Sequence, residues 1–278
     1  MEHGKVLIGR REWLGLFGAV WLSPALAAQD EALQFAALDH IEFYVSNVEK
    51  SRDFFARTFG NTLKNRGSKR YLKLGSAYMA FEPPRGNAAA GQVDHVSAAI
   101  QKLDMPKLHS FLEQRGVVYQ DYPSGRDTGV NDPDGARLQL SPENGWSLLN
   151  PATFLPETAP IDGEPIFRPT GLDHILLNVT DLEKSVAFYQ KFLGRLVPGN
   201  NNRAWFQVGP SRIGLSRTPA GERAGVSRVC VSASSFNYEA AIRSMQQMGA
   251  KVEPPEVAGA PEFRDPDGLL VQVMGPRQ

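Results

Sequence analysis

The chain has 278 residues, and its 30 lysines and arginines balance 30 aspartates and glutamates. A net charge of zero argues against a nucleic-acid binder, which needs a basic face to displace counterions from phosphates, and 42% hydrophobic with 22% charged residues is globular composition rather than low complexity. The sole cysteine, Cys230, excludes an intramolecular disulfide and an all-cysteine zinc site.

Residues 1–28 differ from the rest of the chain. Arg10-Arg11 precede an apolar stretch that runs to Trp21-Leu22 and ends in Ala25-Leu26-Ala27-Ala28. A positive start, a short apolar core and an Ala-x-Ala end make an export signal. The paired arginines resemble the twin-arginine class. That resemblance implies cleavage after Ala27 or Ala28, export of a folded protein to the periplasm, and no stable membrane insertion afterwards.

Next comes a repeat. LDHIEFYVSNVEKSRDFFARTFG at 38–60 reappears as LDHILLNVTDLEKSVAFYQKFLG at 172–194, and Asp132-Pro133-Asp134-Gly135 reappears as Asp265-Pro266-Asp267-Gly268. Two domains are expected, at 38–147 and 171–278, joined by a proline-rich linker at 148–170. Each divides again: VDHVSAAI at 93–100 matches the first opening, and VSRVCVSA at 226–233 takes the equivalent place in the second copy. Helices are expected at 47–59, 105–115, 181–193 and about 237–248. Ser46-x-x-Glu49 and Thr180-x-x-Glu183 have the spacing of capping boxes, and the DPDG segments read as turns. After each helix come short extended runs such as RYLKLG, AYMAFE and ARLQLS. The repeating unit is a strand, a helix and three strands.

The LDHI openings, the helices with S/T-x-x-E-K-S and the DPDG turns followed by LQL or VQV make the chain resemble the vicinal oxygen chelate superfamily, which includes glyoxalases, bleomycin-resistance proteins and extradiol dioxygenases. The resemblance covers about residues 38–276. It implies an α+β fold of four βαβββ units forming two glyoxalase-like domains, each a cupped sheet with a site on its concave face.

Strand alternation separates the faces. Ile41, Phe43 and Val45 oppose His40, Glu42 and Tyr44, Leu138 and Leu140 oppose Gln139, and Val271 and Val273 oppose Gln272. The family places metal ligands at the openings and after the DPDG turns. This puts His40, His95 and Gln139 forward as ligands in the first domain, with Glu42 and Tyr44 as the catalytic pair that handles protons. Both positions that carry glutamate in the extradiol pattern hold glutamine, which gives a divalent ion no compensating charge. In the second domain the matching set is His174, Arg228 and Gln272. Arg228 cannot be a ligand, so this set reads as metal-free and, with Arg126, substrate-binding. His95 and Gln139 can pair with His40 or, across domains, with His174, and that choice stays open here. Glu82 reads as a rim carboxylate facing water, His109 as solvent-facing, Arg264 as a loop charge and Cys230 as a small buried residue.

The resemblance implies a metal-dependent enzyme on a small oxygenated molecule, most like a two-domain extradiol ring-cleaving dioxygenase, with iron, manganese, zinc or nickel as the divalent metal. The alternatives are a glyoxalase- or epimerase-like lyase or isomerase, and a metal-free small-molecule-binding protein of the bleomycin-resistance kind. A homodimer is compatible with either.

Overall fold

A computed structural model describes residues 33–60, 63–149, 163–199 and 203–276. The expected export signal lies outside the described residues, as does most of the stretch expected as linker. Among the described residues, no helix is long and apolar enough to cross a membrane.

The first domain runs β1 (Phe35–Tyr44), α1 (Val48–Phe59), β2 (Leu63–Arg66), β3 (Lys69–Leu74), β4 (Ala77–Glu82), then β5 (Val93–Ile100), α2 (Met105–Gln114), β6 (Tyr119–Asp121), β7 (Thr128–Asn131), β8 (Arg137–Pro142) and the short α3 (Gly145–Leu148). The second repeats it: β9 (Pro169–Val179), α4 (Leu182–Leu193), β10 (Leu196–Val197), β11 (Ala204–Val208), β12 (Ser211–Arg217), β13 (Gly225–Ala233), α5 (Tyr238–Gln247), β14 (Lys251–Glu253), β15 (Glu262–Arg264) and β16 (Leu270–Met274). Each domain is one eight-stranded mixed sheet. The orders are β2-β3-β4-β1-β5-β8-β7-β6 and β10-β11-β12-β9-β13-β16-β15-β14, so the two units of each domain meet at an antiparallel central pair.

The expected apolar faces form the core. Ile41, Phe43 and Val45 are buried with Phe55 of α1 and Phe81 of β4, and Tyr189, Phe192 and Phe206 fill the equivalent place in the second domain. Part of the stretch expected as linker joins this core. Phe167 is buried against Phe59, Phe236 and Phe263, and its backbone N–H donates to Thr58 at 2.9 Å.

The helix starts correct the expected caps. Asn47, not Ser46, accepts from the Lys50 N–H, and Asp181, not Thr180, accepts from that of Lys184. Ser46 and Thr180 are taken by the other domain. The Ser46 N–H donates to Asp267 at 3.0 Å, and Thr180 donates its N–H (2.9 Å) and its hydroxyl to Asp134. Each DPDG turn thus places its second aspartate at the first helix of the opposite domain, where a carboxylate also meets the positive end of the helix dipole. The first aspartate shapes the turn: Asp132 Oδ1 accepts from the N–H groups of Asp134 and Ala136, and Asp265 Oδ1 from those of Asp267 and Leu269.

A second reciprocal contact brings the sheets together. Gly75, in the turn between β3 and β4, presses on Thr170 at the start of β9, and Gly209, in the turn between β11 and β12, presses on Ala36 at the start of β1. A Cβ on Gly75 would sit 2.3 Å from the Thr170 carbonyl carbon, and one on Gly209 2.1 Å from the Ala36 oxygen.

Candidate functional site

The site grows out of two irregularities in the central pair β1–β5. Leu38 faces Ala98 and His40 faces Ser97, so Asp39 is an extra residue; Glu42 faces His95 and Phe43 faces Val93, so Asp94 is another. An extra residue in one strand is a β-bulge, which re-aims side chains. Strict alternation would send each aspartate to the face opposite its histidine. The bulges instead bring both onto the concave side, where Asp39 Oδ2 lies 2.7 Å from His40 Nδ1 and Asp94 Oδ2 2.7 Å from His95 Nδ1.

Those two contacts fix the imidazoles. With each Nδ1–H donated to a carboxylate, each Nε2 presents a lone pair, and the two Nε2 atoms stand 3.1 Å apart. Both histidines are about 94% buried. Burial holds His95 below its ordinary pKa against the opposing pull of Asp94. At this separation either a shared proton or a metal cation can satisfy both nitrogens. Burial works against ionisation of Asp94, but donation from His95 and Tyr44 holds its carboxyl far below the usual range. Tyr78 stacks on His40, with ring centroids 4.4 Å apart, and fixes its plane.

The central pair therefore joins His95 to His40, within one sheet. Gln139 follows on β8 through the register His40–Ser97–Gln139. Its side chain makes no hydrogen bond among the described residues and lines the same cavity, of about 740 Å³, as the two histidines. The donor set fits a divalent ion: two imidazole nitrogens within the span that metal–nitrogen bonds of about 2.1 Å can bridge, carboxylates behind them in the orienting position, and an unused amide oxygen. Glu42 supplies nearby negative charge, since it, Asp94 and His95 have ligand atoms within 4.8 Å of one another.

Glu42 is buried and ion-paired with Lys69. Burial opposes its ionisation, but His95 and Lys69 outweigh burial and bring its pKa below the ordinary value. Glu82 corrects an expectation. It does not face water but is 98% buried, with Lys69 at 3.4 Å and Arg85 at 2.5 Å. Burial, then its hydrogen bond with Glu42, raises its pKa. Lys69 therefore sits between two carboxylates on the cavity wall. Tyr44 also lines the cavity, but its hydroxyl donates to Asp94 at 2.7 Å. Burial and that bond push the phenol well above its ordinary pKa. Arg126 lies exposed at the cavity mouth.

The other candidates lie elsewhere. His174, Arg228 and Gln272 belong to the second sheet and do not line this cavity. Arg228 pairs with Glu256 (2.6 Å) and Glu262 (3.4 Å), and Gln272 donates to Glu262 at 2.7 Å. Arg264 is bound to Glu253. His109 is half-buried, paired with Asp121 and stacked on Tyr119. Sequence reasoning did not find Asp39, Asp94, Lys69 or Tyr78. For the aspartates a signal was present: the dipeptide Asp-His occurs at 39–40, 94–95 and 173–174.

Residues 171–273 match the family model of the Glyoxalase/Bleomycin resistance protein/Dioxygenase superfamily. The second domain is a member of that superfamily. The first repeats its strand order, and the two together match solved structures of superfamily enzymes. A catechol 2,3-dioxygenase aligns over 88% of this chain and 89% of its own at 14% identity, with a TM-score of 0.64. A 2,3-dioxygenase from Pseudomonas sp. KL28 aligns over 89% and 94% at 17% identity, TM-score 0.64. A Mn(II)-bound glyoxalase from Novosphingobium aromaticivorans aligns over 87% and 83% at 14% identity, TM-score 0.63. At such identities these likenesses establish the superfamily fold. No curated protein matches the sequence.

Proposed function

We propose that the first domain is a metal-dependent enzyme centre for a small oxygenated molecule, with His40 and His95 as ligands, Gln139 completing the set, and extradiol-type cleavage of a dihydroxylated ring as the reaction. The observation that carries this is the pair of Nε2 atoms 3.1 Å apart, each imidazole held by its own aspartate beside a cavity. A divalent ion there would supply Lewis-acid stabilisation of adjacent substrate oxygens and, for iron or manganese, access to dioxygen chemistry. The likeness to the catechol 2,3-dioxygenase supports the choice of substrate.

The chain's own groups have separate tasks. Asp39 and Asp94 hold the tautomer of each imidazole. Tyr71, Tyr78 and Tyr122 give the cavity aromatic walls suited to a planar ring. Glu42, ionised beside His95, takes the proton that a substrate hydroxyl loses on binding. Lys69 keeps Glu42 ionised and fixes its position. Arg126 and Arg137 line the cavity on the β7–β8 side, where they attract an anionic substituent.

One observation favours a second reading. A buried, ionised carboxylate beside the ligands is also what removal of a proton next to a carbonyl requires, as in glyoxalase- or epimerase-like lyases and isomerases. We further propose that the protein works in the periplasm, on the strength of its twin-arginine-type start.

The test is to isolate the full chain without an affinity-metal step, measure its metal by elemental mass spectrometry, and assay catechols for coloured ring-opened products with and without air. Iron or manganese lost from the His40→Ala/His95→Ala variant, with oxygen-dependent turnover lost too, is the expected result. Turnover without oxygen on α-oxo thioesters or hemithioacetals would move the assignment to the second reading. Unchanged metal at the first-domain site in that variant would overturn both.

A further inference from the structure

We infer that the segment after β8, from Asn144 to Leu149, is an end wall of the first cup with two tasks: its leucines limit the substrate, and its first turn positions His40 through Asp39. The inference rests on the proposed first-domain reading only for the choice of substrates. β8 lies on one side of the central pair β1–β5, and β4, β3 and β2 lie on the other. The chain leaves β8 at Pro142, yet Trp146 and Leu149 pack on Tyr71 of β3 and on Tyr78 and Ala80 of β4. The segment therefore crosses the concave face from one unit of the domain to the other. Gly145, Leu148 and Leu149 line the same cavity as His40.

Asn144 turns the chain in the left-handed region, with φ +62, which asparagine visits more readily than most residues. Its carbonyl accepts from the N–H groups of Ser147 and Leu148. The Trp146 ring lies 5.9 Å from that of Tyr78, and the Lys64 ammonium stands 4.4 Å from the Trp146 centroid, an attractive placement for a cation over an indole. Lys64 also donates to the Trp146 carbonyl at 3.2 Å. The segment is thus fastened at its middle to the far half of the sheet. Leu148, by contrast, is 38% exposed, an apolar edge on a cavity whose other side carries Arg126 and Arg137. A substituent directed at this end of the cup meets Leu148 and Leu149, and truncating them would lengthen the cavity.

Asp39 joins the wall to the candidate metal site. One carboxylate oxygen accepts from the Gly145 N–H at 3.0 Å, and the other lies 2.7 Å from His40 Nδ1. A Cβ on Gly145 would fall 2.2 Å from Asp39 Oδ2 and 2.9 Å from its Cγ, so only glycine lets the first turn come close enough for this bond. Asp39 is itself buried and has no solvent to withdraw into. Tyr78 gives a second link, since it contacts Trp146 and stacks on His40. Displacing the wall displaces the groups that orient the His40 imidazole. Asp94, behind His95, is held by Tyr44 instead, so the wall acts on one histidine of the two. Gly145 and Asp39 are positioning residues, and Leu148 and Leu149 set specificity.

The test uses the full-length protein. In the metal-free state, nitrogen-filtered proton NMR should show the His40 Nδ1–H at low field, as a proton held by a carboxylate. Gly145→Ala should move it upfield by about 1 ppm or more and leave the ring signals of His109 and His174 in place. Ser147→Ala, at an exposed position of the same turn, should move none of them. If Gly145→Ala loses the His109 signals with the fold, Trp146→Ala, which frees the wall without crowding Asp39, should move His40 and spare His109. On the substrate side, Leu148→Ala/Leu149→Ala should lower the ratio of KM for tert-butylcatechol to KM for catechol by about fivefold or more, whereas a merely structural role would shift both together. A wild type that turns over neither catechol would count against the ring-cleavage reading, and the NMR signals would still decide the wall. His40 signals unmoved by Gly145→Ala and Trp146→Ala, or an unchanged KM ratio in an active enzyme, overturn the inference.

Discussion

Gly75 and Gly209 offer a test of how the two sheets are held. Gly75 has φ +64 and Gly209 has φ +58, and an added Cβ would fall 2.3 Å from Thr170 and 2.1 Å from Ala36, both on backbone atoms that cannot swing aside. Gly67 has the same φ of +58 with nothing within 4 Å, so it isolates the backbone contribution. An L side chain in the left-handed region costs about 1–2 kcal/mol, and that is the whole expected loss for Gly67→Ala. Gly75→Ala and Gly209→Ala add an overlap with packed backbone, for which about 1–3 kcal/mol more is typical, giving losses of about 2–5 kcal/mol. The assay is urea unfolding followed by tryptophan fluorescence, with the midpoint and slope of each variant compared. Both substitutions open one interface, so the double variant should lose less than the sum of the singles. If Gly75→Ala and Gly209→Ala cost no more than Gly67→Ala, the close approach of the two domains is wrong.

Three other perturbations reach the site and its supports. Asp94→Asn keeps the shape but loses the carboxylate behind His95. Divalent affinity at the first-domain centre should fall about 10–100-fold, measured by competition with a chromogenic chelator; unchanged affinity would remove the orienting role. Lys69→Met leaves Glu42 and Glu82 facing each other without their shared cation. It should destabilise the protein by about 3–5 kcal/mol near neutral pH, and Lys69→Met/Glu42→Gln/Glu82→Gln should recover most of that in a urea melt. Burial pushes the Asp265 carboxyl up to about 6, against the donation it receives from the backbone of Leu269, Asp267 and Gly268. A raised carboxyl pKa stabilises the fold fully below the unfolded value of about 3.9 and loses that contribution as pH rises through 6, a change of up to about 3 kcal/mol. Asp265→Asn should therefore flatten the stability profile between pH 4 and 7 relative to the wild type, and parallel profiles would rule this out.

The architecture was legible because repetition and alternation are local signals. LDHI at two places, DPDG at two places and the opposition of Ile41, Phe43 and Val45 to His40 and Glu42 lead directly to paired cupped sheets. What escaped the sequence depends on contacts far along the chain. Ser46 and Thr180 have capping-box spacing, yet an aspartate in the fold's other half, 221 residues away for Ser46 and 46 for Thr180, takes each N–H group, and the cap moves to the next residue. Glu82 looks like a strand-end carboxylate until Lys69 and Arg85 cover it. Lys69 itself follows the Gly67-Ser68 turn, whose composition suggests solvent. The aspartates before His40 and His95 were hidden because alternation assigns them to the wrong face, and only the register of the neighbouring strand reveals the bulge.

The mutual grip of the two halves bears on what each is free to become. Were the same contacts made between two identical chains, every substitution would appear twice, and a cup could not be filled without filling its twin. Joining the halves in one polypeptide removes that restriction and makes their association independent of protein concentration. One cup can be crossed by the Arg203, Arg228, Glu256 and Glu262 ion pairs while the other stays open, and a substitution that closes one need not touch the other. An architecture that looks symmetric in its backbone is thereby released from symmetry in its chemistry.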